Sequence, residues 1–262
     1  MWAAGHYPTV AERLRPVARL LVKRAGIAAG DRVLDVGTGS GSVAIAAAER
    51  GARVIGVDHV DTWLPTAGRA AGDAGVAIAV AVADAEQLPY PDGVFGTVLS
   101  SFAHIFAPRH DIVAREMARV CRTGGTVAFT AWSDDPRRRC DGFGILSRAL
   151  RADTDAVRGP TDWGRPGYAV ERFAPHGVDL SVERHVLRWE FPDEDAWSHF
   201  LLTASGPYIK AREALEARGR WEDVWAEVRA ANRAANTATD GTYTIDQGYI
   251  IAVGRRTAAG DG

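Results

Sequence analysis

Cysteine is nearly absent from this 262-residue chain, which holds only Cys121 and Cys140. Two thiols build no disulfide framework, so a hydrophobic core must hold the fold, and a reducing compartment is expected. Both read as inert packing residues. Lysine is as scarce: Lys23 and Lys210 are the two, and the other basic side chains are arginine. With the heavy use of alanine, that points to a GC-rich bacterial genome. There is no basic surplus, because 31 Lys and Arg stand against 33 Asp and Glu for a formal charge of −2. This argues against nucleic acid as a partner. No apolar run approaches the ~18–20 residues that cross a bilayer. Met1–Val10 also lacks the basic-then-apolar order of a secretion signal. A cytoplasmic, soluble protein without a membrane span is expected. No His/Cys ligand spacing is present, so no metal is expected.

What is present is enough apolar material, 47% against 24% charged, for one large domain with a substantial core. Val10, Leu14, Val17 and Leu21 recur at helical spacing between Pro8 and Ala25. Short β-branched runs then alternate with helical stretches: strands at Arg32–Val36, Ala52–Asp58, Val76–Val82, Thr97–Ser101 and from Gly124 to Ala131. Helices fall between them at Ser42–Arg50, Thr62–Ala74 and His110–Val120. Units of this size argue for a parallel sheet covered by helices on both faces. Pro136–Val178 reads as turn-rich. A strand pattern returns at Val182–Phe191, helices follow at Asp195–Thr203, Ile209–Ala217 and Trp221–Ala235, and a last strand lies at Tyr249–Gly254.

The segment Asp35-Val36-Gly37-Thr38-Gly39-Ser40-Gly41 runs from a strand through glycines into a helix. Such a turn lets a ligand approach backbone and helix N-terminus closely. Ser42 occupies the sixth position, where a dinucleotide fingerprint wants Gly or Ala. Asp35 is an awkward neighbour for a pyrophosphate and a good one for an ammonium or sulfonium group. An NAD-dependent dehydrogenase is therefore disfavoured. The second strand ends at Asp58, where a carboxylate can accept from both ribose hydroxyls, and Asp84 follows the third, within reach of an adenine amino group.

These residues, with Asp84-Ala85-Glu86-Gln87-Leu88-Pro89 and Arg119-Val120-Cys121-Arg122-Thr123-Gly124-Gly125, resemble the class I S-adenosylmethionine-dependent methyltransferases. The branch most similar is the ubiquinone/menaquinone-biosynthesis type, and the match is specific from Asp31 to Trp132. The resemblance implies an α/β, doubly wound, seven-stranded and mostly parallel sheet with its last strand antiparallel, and a helical cap over the acceptor site. It implies S-adenosyl-L-methionine as cofactor, with Gly37, Gly39 and Gly41 around its methionine part. Asp58 would lie on the ribose, and Asp84 and the Ala85 backbone on the adenine. Asp35, Thr38, His59 and Ser100 complete the expected cofactor set. The chain departs from many relatives at Gly96, where they carry Asp, and at Ala103-His104-Ile105-Phe106, where they often show paired histidines.

The expected organisation is a single domain, 1–262, with a cofactor-binding core at 26–133 and an acceptor or cap region at 134–245 that includes one strand. A final strand at 248–254 and a flexible tail at 255–262 complete it. Tyr7 and Trp2 precede or open the first helix. An aromatic there either lies against the sulfonium by cation–π attraction, as assigned to Tyr7, or simply packs on the sheet. Trp2, Trp132, Trp163, Tyr168, Trp197 and Tyr208 are candidate acceptor-pocket residues, against ordinary core packing as the competing reading. Arg137-Arg138-Arg139 reads as a solvated loop neutralised by Asp134 and Asp135. His104 follows the fourth strand and is the candidate general base; the alternative is a core imidazole with one satisfied nitrogen. The expected activity is methyl transfer to a small-molecule acceptor in bacterial secondary metabolism. Two alternatives stay open on the same fold: cyclisation or rearrangement with the cofactor as scaffold, and a non-catalytic cofactor-binding module.

Overall fold

The computed structural model describes residues 7–135, 142–151 and 159–258. Trp2, His6, Arg137, Arg138, Arg139 and Cys140 lie outside them, as does the Tyr7 side chain. Arg32–Val36 (β1) carries four consecutive buried residues, the mark of a strand covered on both faces. It pairs in parallel with Arg53–Asp58 (β2) on one side and Phe95–Ser101 (β4) on the other. Ala79–Val82 (β3) flanks β2, and Cys121–Trp132 (β5) flanks β4, both in parallel. Tyr243–Arg256 (β7) runs antiparallel to β5 and to Val178–Phe191 (β6). The sheet order is β3-β2-β1-β4-β5-β7-β6. The seven-stranded, mostly parallel, doubly wound sheet expected from the sequence is thus present.

Helix Tyr7–Arg24 (α1) buries Val17, Ala18, Leu21 and Val22 at a helical repeat against Ser42–Ala48 (α2). Leu64–Asp73 (α3) and His110–Val120 (α4) complete the crossovers. Pro65 sits at the start of α3, the one place where its missing N–H costs nothing. Strand order reverses between β1 and β4, so their C-terminal ends open a crevice, the usual ligand position of an open α/β sheet.

The second half differs from expectation. Between Pro136 and Val178, read as turn-rich, lie Gly142–Arg151 (α5) and Pro166–Phe173 (α6). Glycines and prolines at their starts disguised them, although Phe143, Leu146 and Leu150 keep helical spacing. Glu194–Ala204 (α7), Gly206–Glu216 (α8) and Trp221–Ala235 (α9) follow. The Asp193 side chain caps α7 by accepting from the Ala196 N–H at 2.7 Å. β7 starts at Tyr243 and runs through Arg256, longer at both ends than 248–254. Arg255 and Arg256 therefore belong to the sheet rather than to a tail, because they pair with Asp179 and Val178 of β6.

Candidate active site

At the crevice the chain leaves β1 through three glycines with positive φ: Gly37, Gly39 and Gly41. A Cβ at Gly37 would stand 2.1 Å from the Ala103 Cβ, so glycine is required where this turn passes the end of β4. Gly37 and Thr38 donate their N–H groups to the Val57 carbonyl, and Gly39 donates to Asp58 Oδ2 at 2.9 Å. The other Asp58 oxygen accepts from the Val60 N–H at 3.0 Å. A carboxylate oxygen can accept more than one hydrogen bond, so these two contacts leave Asp58, which lines the cleft, with further acceptor capacity. Asp84 accepts the Glu86 N–H on Oδ1, 2.8 Å away.

Glu86 faces the same cleft and is tied to Arg109, whose N–H and Nε donate to its two oxygens at 2.7 and 2.6 Å. Behind it, Arg119 bridges Glu116 to the carbonyls of Leu88 and Tyr90, while Glu116 accepts the Leu88 N–H. The hydrogen bond from Arg119 holds the Glu116 carboxyl below the usual carboxylate range. These ties fix the loop that carries Asp84.

Gly37, Gly39, Asp58, Asp84 and Ala85 line one end of a continuous cleft of about 760 Å³. The other end is roofed by α5 and α8. Phe143, Leu146, Ser147 and Leu150 form one face of α5, and Pro207, Lys210, Ala211 and Ala214 one face of α8. Both sets repeat at i, i+3, i+4, i+7. Phe102, Phe106, Ala107 and Pro108 form the wall beyond β4. Phe102 has φ 53, the one positive φ outside glycine among the described residues. It is held there by its N–H bond to Thr130 Oγ1 and by stacking on Trp132 at 4.0 Å. Backbone strain of this kind gathers at functional sites.

A profile of the methyltransferase domain family matches residues 34–129 of this chain. The chain is 38% identical over 226 residues to Rv1403c of Mycobacterium tuberculosis, covering 82% of this chain and 79% of that one. It is 33% identical over 119 residues to the demethylmenaquinone methyltransferase of Thermus thermophilus, 45% of this chain and 53% of that one. The chain belongs to the class I S-adenosylmethionine-dependent methyltransferases. The YcgJ protein of Bacillus subtilis shares this methyltransferase's fold with a TM-score of 0.64 at 22% identity, over 92% of this chain and 98% of that one. The methyltransferase's cofactor is S-adenosylmethionine, and the donor set fits it. Asp58 and Asp84 offer carboxylates that could accept from hydroxyl and amino donors, glycine backbone replaces side chains, and carboxylates in the lining suit a cation better than phosphates.

The structure brings Gly37, Gly39, Asp58, His59, Asp84 and Ala85 of the expected cofactor set to the cleft. Asp35, Thr38, Gly41 and Ser100 support the loop from beneath, and the Tyr7 side chain lies outside the described residues. Asp35 is buried, accepts from the Thr38 hydroxyl at 2.8 Å, and leaves Oδ1 without a partner. Burial raises its pKa to about 7, so it is no open carboxylate awaiting an ammonium. Gly41 is the left-handed cap of α2, against Ala67. Ser100 donates to the Val36 carbonyl at 2.8 Å and accepts from the His104 N–H.

His104 is not placed as a general base. Its imidazole lies edge-on to Phe129 and Trp163 at 4.7 and 4.8 Å, and neither ring nitrogen has a partner. Desolvation, with nearby His110 adding to it, lowers its pKa to about 3. It stays neutral, and although His104 is among the residues that line the cleft, both ring nitrogens are buried.

Most of the expected acceptor aromatics are likewise core. Trp163 is fully buried, and Tyr168 bonds His110 Nδ1 at 2.7 Å. Trp197 packs among Trp189, Phe191 and Phe200. Tyr208 points toward α5 and α9, its Oη beside Gly142. Trp132 reaches the site indirectly, through Phe102. Of the cleft-lining residues missed, Phe143, Leu146 and Lys210 lie on faces that helical spacing reveals once the helix bounds are known, whereas Phe106 ends a short turn after β4.

Proposed function

We propose that this methyltransferase transfers the methyl group to a small, largely apolar organic acceptor bound beneath α5 and α8, in bacterial secondary metabolism. The observation that carries the reading is the continuity of the cleft. Its lining joins the glycines and carboxylates after β1, β2 and β3 to the apolar faces of α5 and α8 in one space. When bound, the cofactor supplies an electrophilic methyl on a sulfonium, whose departure as a neutral thioether needs no acid. The protein's task is therefore position and exclusion of water. Asp58 and Asp84 orient the nucleoside, and Phe102, Phe106, Phe143 and Leu146 hold the acceptor dry. With both ring nitrogens of His104 buried and its pKa lowered, an acceptor proton leaves through another group or to solvent.

The test is incubation with methyl-labelled S-adenosylmethionine and a panel of apolar phenols, amines and enolisable ketones. S-adenosylhomocysteine should form only when an acceptor is present, with label in the product. An acceptor converted to an isomer of unchanged mass, with the cofactor intact, would instead favour rearrangement or cyclisation on the same fold.

A further inference from the structure

The cleft-facing stripe of α8 is Pro207, Lys210, Ala211 and Ala214. Three of the four are small or apolar. The fourth is one of the chain's two lysines, in a sequence that otherwise uses arginine for positive charge. Lys210 Nζ lies 2.6 Å from Glu213 Oε2, one turn along α8, and Glu213 does not line the cleft. An ammonium has three donors, and this pair uses one of them. The cleft's described carboxylates are Asp58, the last residue of β2, and Asp84 and Glu86, on the loop after β3, and none comes from α5 or α8. Charge in the cleft is thus divided: negative where the cationic cofactor fits, and a cation on an apolar wall where the acceptor fits.

We propose that Lys210 pairs with an acidic group, such as a carboxylate, on an otherwise apolar acceptor, and so selects acids over their neutral counterparts. The inference rests on the reading of this end of the cleft as the acceptor chamber. Lysine suits the role because its charge sits on a flexible stem whose methylenes lie along apolar surface while the ammonium turns to the ligand. Glu213 holds the ammonium near the cleft when no acid is bound.

The test uses two fluorescent probes with the same aryl-naphthylamine skeleton on protein saturated with S-adenosylhomocysteine. One is 1-anilinonaphthalene-8-sulfonate, which is anionic; the other is N-phenyl-1-naphthylamine, which is neutral. Wild type should bind the anionic probe more tightly. Lys210→Gln should weaken it by about tenfold, as loss of one charge-assisted bond implies. The neutral probe and S-adenosylhomocysteine should bind as before, and Lys210→Arg should restore the preference. Ala214→Trp, which fills the chamber from a partly exposed position, should expel both probes. An anion preference unchanged in Lys210→Gln, or absent from wild type, overturns the proposal and leaves the chamber standing. A fall in S-adenosylhomocysteine affinity with Lys210→Gln would make Lys210 a cofactor ligand and also overturn it. Probes that survive Ala214→Trp would overturn the chamber and the proposal together.

Discussion

Two buried ionisable groups, His104 and Asp35, should pull the stability of this protein in opposite directions with pH. His104 has its pKa lowered from 6.5 to about 3, so on acidification the unfolded chain takes up a proton that the folded one refuses. Its contribution is complete above 6.5 and is lost as pH falls toward 3. Asp35 has its pKa raised from 3.8 to about 7, so the folded state holds a proton that the unfolded state has released. Its contribution grows as pH falls through 7 and is complete near 3.8. Integrating proton linkage from about pH 7.5 to about pH 5 gives a loss of about 2 kcal/mol from His104 and a gain of similar size from Asp35. The two nearly cancel. His104→Leu should therefore gain stability on acidification relative to wild type, and Asp35→Asn should lose it, each by about 2 kcal/mol. Urea unfolding of cofactor-free protein, followed by tryptophan fluorescence, measures this at both pH values. His176, also lowered by burial, acts in the same direction as His104 but is common to all three proteins, so it drops out of the differences. If His104→Leu showed the same pH dependence as wild type, the imidazole would not be buried as described.

Asp58→Ala removes the acceptor proposed for two ribose hydroxyls and the observed acceptor of the Gly39 N–H, and with charge-assisted bonds worth roughly 1.5–3 kcal/mol calorimetry should show S-adenosylhomocysteine bound about ten- to a hundredfold more weakly. Gly37→Ala places a methyl where the Ala103 Cβ already stands, at a φ of 74; it should lower stability by at least about 2 kcal/mol and leave little cofactor binding, both read by thermal shift with and without ligand. Phe143→Ala should alter acceptor KM while S-adenosylhomocysteine affinity stays within about twofold, since one kcal/mol is already more than that.

The cofactor half was legible because its chemistry is written in contiguous motifs. Strand-loop-helix glycines, Asp58 at a strand end and Asp84 at the next fall into register whatever surrounds them. The finer roles of Asp35, Gly41 and Ser100 were not legible, since a motif shows that a residue is needed but not whether it touches ligand or holds the loop that does. In the acceptor half, Trp163, Trp197 and Tyr208 stood out as large aromatics, and large aromatics are also what a core buries first. The residues that line the chamber there are mostly small or aliphatic, and one register step on α8 separates Pro207 from Tyr208. Helical spacing selects a face but not which face meets the cleft, and that choice is made by the packing of α8 on α5, which no local pattern encodes. Phe102 is the extreme case: nothing in the sequence announces a phenylalanine at positive φ.

On the function proposed, one cleft holds S-adenosylmethionine beside Asp58 and Asp84 and the acceptor beneath α5 and α8. A crystal structure with S-adenosylhomocysteine tests it most directly. The ribose hydroxyls should be found on the Asp58 carboxylate, the adenine beside Asp84 and Ala85, and the sulfur facing open space between Phe102, Phe143 and Lys210. A nucleoside bound away from Asp58, or a sulfur turned from the α5–α8 chamber, would contradict the account.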